Sequence, residues 1–122
     1  MTSMWATLAA MRIVLPALVF AVVLASHASA QPPRTPTRTS VIEAMGPLVP
    51  RIAACAETQG AGHGSLYVAF VVRADGSIES ATVEGIPDPT GFFGTCVSDV
   101  AKTARLPPFE RPTFLFRYPF RY

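Results

Sequence analysis

The first 30 residues constrain this chain most, because they read as a segment that takes no part in the fold. A positive charge at Arg12 precedes the apolar run from Ile13 to Ala25, and Ala28-Ser29-Ala30 then leads into Gln31-Pro32-Pro33. A charge, a short apolar core and a small-x-small site, in that order, form a secretory signal, with Ala28 and Ala30 where a signal peptidase reads and cleavage before Gln31. The core is shorter than the roughly 20 residues a membrane-spanning helix needs, and Pro16 interrupts it. The alternative keeps residues 5–25 as an uncleaved anchor and would bury Arg12. Residues 1–10 carry no charge, so initiation at Met11 instead of Met1 or Met4 stays open. No cysteine stands near the cleavage site, which argues against a lipid anchor there.

Residues 31–122 then form one small domain. The whole chain has 10 Lys+Arg and 8 Asp+Glu. One of the ten is Arg12, so the balance past residue 30 is near +1. Such a charge is no footprint for nucleic acid or for an anionic membrane, and no aromatic residues interleave with a basic stripe. Cys55 and Cys96 are the two cysteines. In an oxidising compartment an even pair in a domain this small reads as a disulfide. The other readings are two buried free thiols or a redox pair, and the chain has no C-x-x-C.

Residues 31–40 are polar and proline-rich, and are expected to form a flexible arm. Ser40 with Glu43 matches a capping box. Val41, Met45, Leu48, Ile52 and Cys55 follow at helical spacing. Gly46, Pro47 and Pro50 divide that run into a short turn at 41–45 and a helix over about 47–58, ended by Gly60. Leu66, Val68, Phe70 and Val72 alternate as a strand. Asp75-Gly76 forms the hairpin turn, with Gly76 suited to a positive φ. In the returning strand Ile78 is out of parity with Ala81 and Val83, which predicts a β-bulge near Glu79-Ser80. Phe92, Cys96, Val97, Val100 and Ala104 then share a helical face, and Phe114, Phe116, Tyr118, Phe120 and Tyr122 alternate in a last strand. Pro119 cannot donate to a ladder, so that strand lies at an edge or turns its proline outward. The expected fold is α+β: a small two-layer sandwich of order α-β-β-α-β, with a three-stranded antiparallel sheet and two helices on one face.

Little here points to catalysis. His63 is a lone histidine in a glycine loop, and no second ligand stands at metal-binding spacing beside it. The glycines of residues 60–64 precede a strand instead of a helix, which removes the phosphate-cradle reading. Asp75 serves the turn, Glu43 the cap, and Glu79 and Glu84 a solvent-facing strand surface. Ser65 and Ser98 have no partner base. The expectation is a non-enzyme with no cofactor, no metal and no small-molecule substrate. An alternating aromatic strand at 114–122 also fits the last strand of an outer-membrane barrel, but such barrels need at least eight strands.

The ordered set Ile52-Ala53-Ala54-Cys55, the strand before Ala74-Asp75-Gly76-Ser77-Ile78, then Cys96 and Phe116-Arg117-Tyr118-Pro119-Phe120 resembles the TonB-like C-terminal domain of the AgmX/PglI type, over residues 41–122. That resemblance implies an envelope-interaction role. Anchored transducers of this kind carry a long linker, and residues 31–40 are too short to cross a periplasm. The expectation is therefore a periplasmic or secreted domain that docks an envelope protein of unknown identity by strand addition. The candidate edges are the strand at 78–84 and the last strand, at Arg117, Tyr118, Pro119 and Phe120. Membrane association enters only if the signal is uncleaved, which would make the chain an anchored part of an energy-transducing complex.

Overall fold

Helix formation starts at Thr37. Its hydroxyl accepts the Ser40 N–H at 3.1 Å, and the Ser40 hydroxyl donates back to the Thr37 carbonyl at 2.9 Å. The structure, a computed structural model, describes residues 31–122. The expected export signal, with Ala28 and Ala30, lies outside the described residues. Helix α1 (Arg38–Met45) thus begins at Arg38 instead of Val41, with Ser40 inside its first turn. A threonine with extended backbone takes the N-cap role as a serine does, and Thr37 comes first in the chain. Gly46 and Pro47 end α1, and α2 (Leu48–Thr58) follows at once. Pro50 falls in the first turn of α2, where a missing N–H removes no helical hydrogen bond. Gly60, at φ 63°, closes the helix in the left-handed region.

The strands β1 (Ser65–Arg73), β2 (Ile78–Glu84) and β3 (Thr113–Arg121) form one antiparallel sheet in the order β2-β1-β3. Leu66, Val68, Phe70 and Val72 are buried, as the period-2 pattern requires. Val71 pairs with Ser80 and Val72 with Ile78, so Glu79 is the extra residue. This is the expected bulge, and it turns Ile78, Ala81 and Val83 together onto the core face.

Helix α3 (Phe92–Ala101) buries Gly94, Val97 and Ala101. Phe92 does not join that face and is 85% exposed. It is the first residue of the helix, where its side chain points past the end of the layer, and Phe93 packs on the core in its place. Cys55 and Cys96 are joined in a disulfide that ties α2 to α3 across a Cα–Cα distance of 5.9 Å. Both helices lie on the same side of the sheet as Val68, Phe70 and Phe120, and one apolar cluster fills the space between. Among the described residues, no helix lies over the opposite sheet face, with Tyr67, Leu115 and Arg117.

The connection from α3 to β3 docks on the hairpin. Leu106 N–H donates to the Gly76 carbonyl and Phe109 N–H to the Ala74 carbonyl, each at 2.9 Å. Leu106 and Phe109 are buried. The arm expected to be flexible also has partners, because the Pro33 and Arg34 carbonyls accept from Glu110 and Arg111 at 3.0 and 3.2 Å.

Candidate functional site

The two sheet edges differ, and hydrogen-bond parity shows how. Gly64 and Tyr122 exchange both backbone bonds at 2.9 Å. Bonded pairs alternate along an antiparallel ladder. With the observed register the bonded pairs are Leu66–Phe120, Val68–Tyr118, Phe70–Phe116 and Val72–Phe114. The backbone nitrogens of Thr113, Leu115, Arg117, Pro119 and Arg121 therefore face away from β1. Pro119 costs the sheet no ladder bond, and removes one donor from the free edge only. Among the described residues no backbone hydrogen bond reaches that side of β3.

The β2 edge is interrupted by comparison. The same parity turns the Ala81 carbonyl outward, and the Ser98 hydroxyl on α3 donates to it at 2.8 Å. The bulge at Glu79 further breaks the regularity of that edge, a common guard against strand addition.

Beside the free β3 edge runs an apolar groove of about 570 Å³. Pro36, Arg38, Val41 and Ile42 form one wall, and Phe114, Phe116, Tyr118 and Pro119 the other. Ile42 is 49% exposed, although its neighbours Val41 and Ala44 pack inward. The α1 wall exists because the helix starts as early as Arg38. The cue in the sequence was Thr37 after Pro36, and the groove residues Arg38, Val41 and Ile42 were missed as functional candidates without it.

Of the four candidate residues on β3, Arg117, Tyr118 and Pro119 line the groove or its rim. Phe120 does not belong to the surface: it is 1% exposed and part of the core. Its parity sends it inward, next to Tyr118 on the same face. Arg117 is held over the open sheet face. Its Nε and Nη2 meet Glu84 Oε2 at 2.9 and 2.7 Å, and its guanidinium lies 4.6 Å from the Tyr67 ring centroid. That side chain reaches across β1 toward β2, away from the edge.

The hairpin turn is as expected. Gly76 N–H donates to the Arg73 carbonyl at 2.8 Å, and Gly76 has φ 89°, the arrangement of a three-residue hairpin loop closed by a left-handed glycine. The Asp75 carboxylate accepts from the Ser77 hydroxyl at 2.6 Å and the Ser77 N–H at 2.9 Å. These bonds, hydroxyl first, hold its pKa below the ordinary aspartate value, with smaller help from the charges of Arg73 and Arg105. This local network explains Asp75 without chemistry on a substrate. His63 is exposed on its loop, near Glu57 and Tyr122. Among the described residues no group of three or more His, Cys, Asp or Glu side chains could hold a metal ion, and no helix is long and apolar enough to cross a membrane.

Compared with known proteins, the chain matches no family model, no curated protein and no solved structure.

Proposed function

We propose that this chain is an exported, non-catalytic docking module of the cell envelope, TonB-like in kind, which accepts an extended segment of a partner protein at the β3 edge. The observation that carries the reading is the pairing of an open β3 edge with the apolar groove beside it. Strand addition draws affinity from the edge's backbone groups and specificity from pockets for alternate side chains, and both lie along β3. On the other edge Ser98 occupies the Ala81 carbonyl and the bulge breaks the register, so the reading favours β3. Periplasmic or secreted placement is supported by the Cys55–Cys96 bridge, because such bonds persist in oxidising compartments. The TonB-like kinship is supported by the α-β-β-α-β order and by the bridge between its helices.

Leu115→Pro tests the reading. It removes an outward donor and no ladder bond, so the domain should stay folded while partner capture from envelope extracts is lost. Equal capture by both proteins overturns strand addition at β3.

A further inference from the structure

We infer that Gln31, once cleavage after Ala30 makes it the first residue, closes on itself to a pyroglutamyl end, so that the mature chain carries no free α-amino group. This rests on the export half of the proposed function and owes nothing to the β3 edge. A glutamine with a free α-amine holds an amide carbon within reach of its own nitrogen. An α-amino group titrates near about 8, so part of it is unprotonated at neutral pH and nucleophilic. That nitrogen attacks the side-chain Cδ, a lactam C–N bond forms, and the old amide C–N bond breaks. The side-chain nitrogen leaves as ammonia with the proton lost by the attacking amine. Nothing is oxidised or reduced, and the terminal charge disappears.

The fold leaves room for that chemistry and gives it a consequence. Gln31, Pro32 and Pro33 are exposed and lie outside any helix or strand. Among the described residues, the first backbone bonds of the arm come just after Pro32. The Pro33 carbonyl accepts from Glu110 and the Arg34 carbonyl from Arg111. Ring closure at Gln31 disturbs neither bond. Trimming from the same end would do so, because loss of residues 31–33 strips the Glu110 N–H of its acceptor. Further loss would reach Thr37, which caps α1 through Ser40. Aminopeptidases engage a free α-ammonium, and a lactam does not present one. The ring thus guards the tie between the arm and the segment before β3.

The full chain, exported by its own signal and kept cold after isolation from the envelope fraction, tests this by intact-mass and fragment spectra. The expected mass is one ammonia below that of a chain starting at free Gln31, with the deficit on Gln31 itself. An aminopeptidase that cuts before proline should leave this protein whole and shorten Gln31→Ala, which cannot form the ring. Equal shortening of the two proteins, or a chain starting at Gln31 with its full mass, would overturn ring closure and leave export standing. A chain starting at any other residue would overturn cleavage before Gln31, and the pyroglutamyl end with it.

Discussion

The carbonyl oxygen of Leu106 occupies the place where a Cβ on Gly76 would stand, and the Leu106 N–H donates to the Gly76 carbonyl at 2.9 Å. The turn that reverses β1 into β2 is thus also the socket for the connection from α3 to β3. Gly76 answers two demands at once, a φ of 89° and a backbone approached by another backbone. The bridge between Ser77 and Arg105 extends the same docking by one step. The Phe109 side chain then enters the core and meets Phe114 edge-on, with ring centroids 6.2 Å apart.

Gly76→Ala should therefore cost more than a turn glycine alone would. A positive φ penalises alanine by upwards of about 1 kcal/mol, and displacing the Leu106 carbonyl adds an overpacking cost of about 1–3 kcal/mol. The expected loss is about 2–4 kcal/mol, readable as a drop in Tm of at least about 10 °C. A Tm within a few degrees of the parent would show that the 105–109 connection can leave its socket without cost.

The disulfide joins α2 to α3 between cysteines 41 positions apart in sequence. Chain-entropy reasoning gives it about 4 kcal/mol through the unfolded state. That is a large share of the roughly 5–10 kcal/mol typical for a small domain. Reductant, or Cys55→Ala with Cys96→Ala, should lower the urea midpoint accordingly. An unchanged midpoint would leave the packing of α2 on α3 as the sole tie between them.

Much of this fold could be read from residue parity. Ile78 was out of step with Ala81 and Val83, and only a bulge at Glu79 puts all three in the core. Cys55 and Cys96 each stood on the apolar face of a helix, so their meeting followed from both faces packing on one sheet. Parity fails where an element ends. Phe92 matched the helical period of α3, but the first residue of a helix projects beyond the layer that the period describes. The Gly76–Leu106 approach joins two segments remote in sequence and leaves no local pattern. The groove needed α1 to begin at Arg38, and the Ser40–Glu43 pattern drew the start too late. Pro119 marked β3 as an edge, yet which residues face outward became clear only from the register with β1.

The two phenylalanines Phe92 and Phe120 should respond in opposite ways. Phe120 is fully buried against the helices, and Phe120→Ala should cost about 3–5 kcal/mol. Phe92→Ala should change stability by no more than about 0.5 kcal/mol, since its ring is 85% exposed. Paired urea titrations decide this, and a large cost for Phe92→Ala would mean that the ring packs on something in solution.

Asp75 should give stability a dependence on acid. Its carboxyl titrates lower in the folded chain than in the unfolded one, because the Ser77 hydroxyl and N–H favour the anion. The contribution is complete above the unfolded value of about 3.9 and is lost as pH falls through the lower folded value. Asp75→Asn should therefore narrow the stability difference between pH 7 and pH 3. If parent and variant lose the same stability over that range, the bonds to Ser77 do not favour the anion in solution.

Neighbouring prolines on β3 offer the sharpest test of the register. The Leu115 nitrogen faces the free edge, so Leu115→Pro deletes no internal bond and keeps an exposed position exposed. An edge strand tolerates this, and the expected cost is under about 1 kcal/mol. The Phe116 nitrogen bonds to Phe70 in the ladder, and the Phe116 ring stacks on the Phe70 ring at 4.8 Å. Phe116→Pro loses both, so Phe116→Ala serves as the control for the side chain alone. A buried acceptor left without its donor costs about 1–3 kcal/mol. Phe116→Pro should therefore fall at least that far below Phe116→Ala in urea denaturation. Were Leu115→Pro the more damaging proline, the parity would be reversed. Pro119 would then interrupt the ladder with β1, and the donors facing an incoming strand would be those of Phe114, Phe116, Tyr118 and Phe120 instead of Leu115 and Arg117.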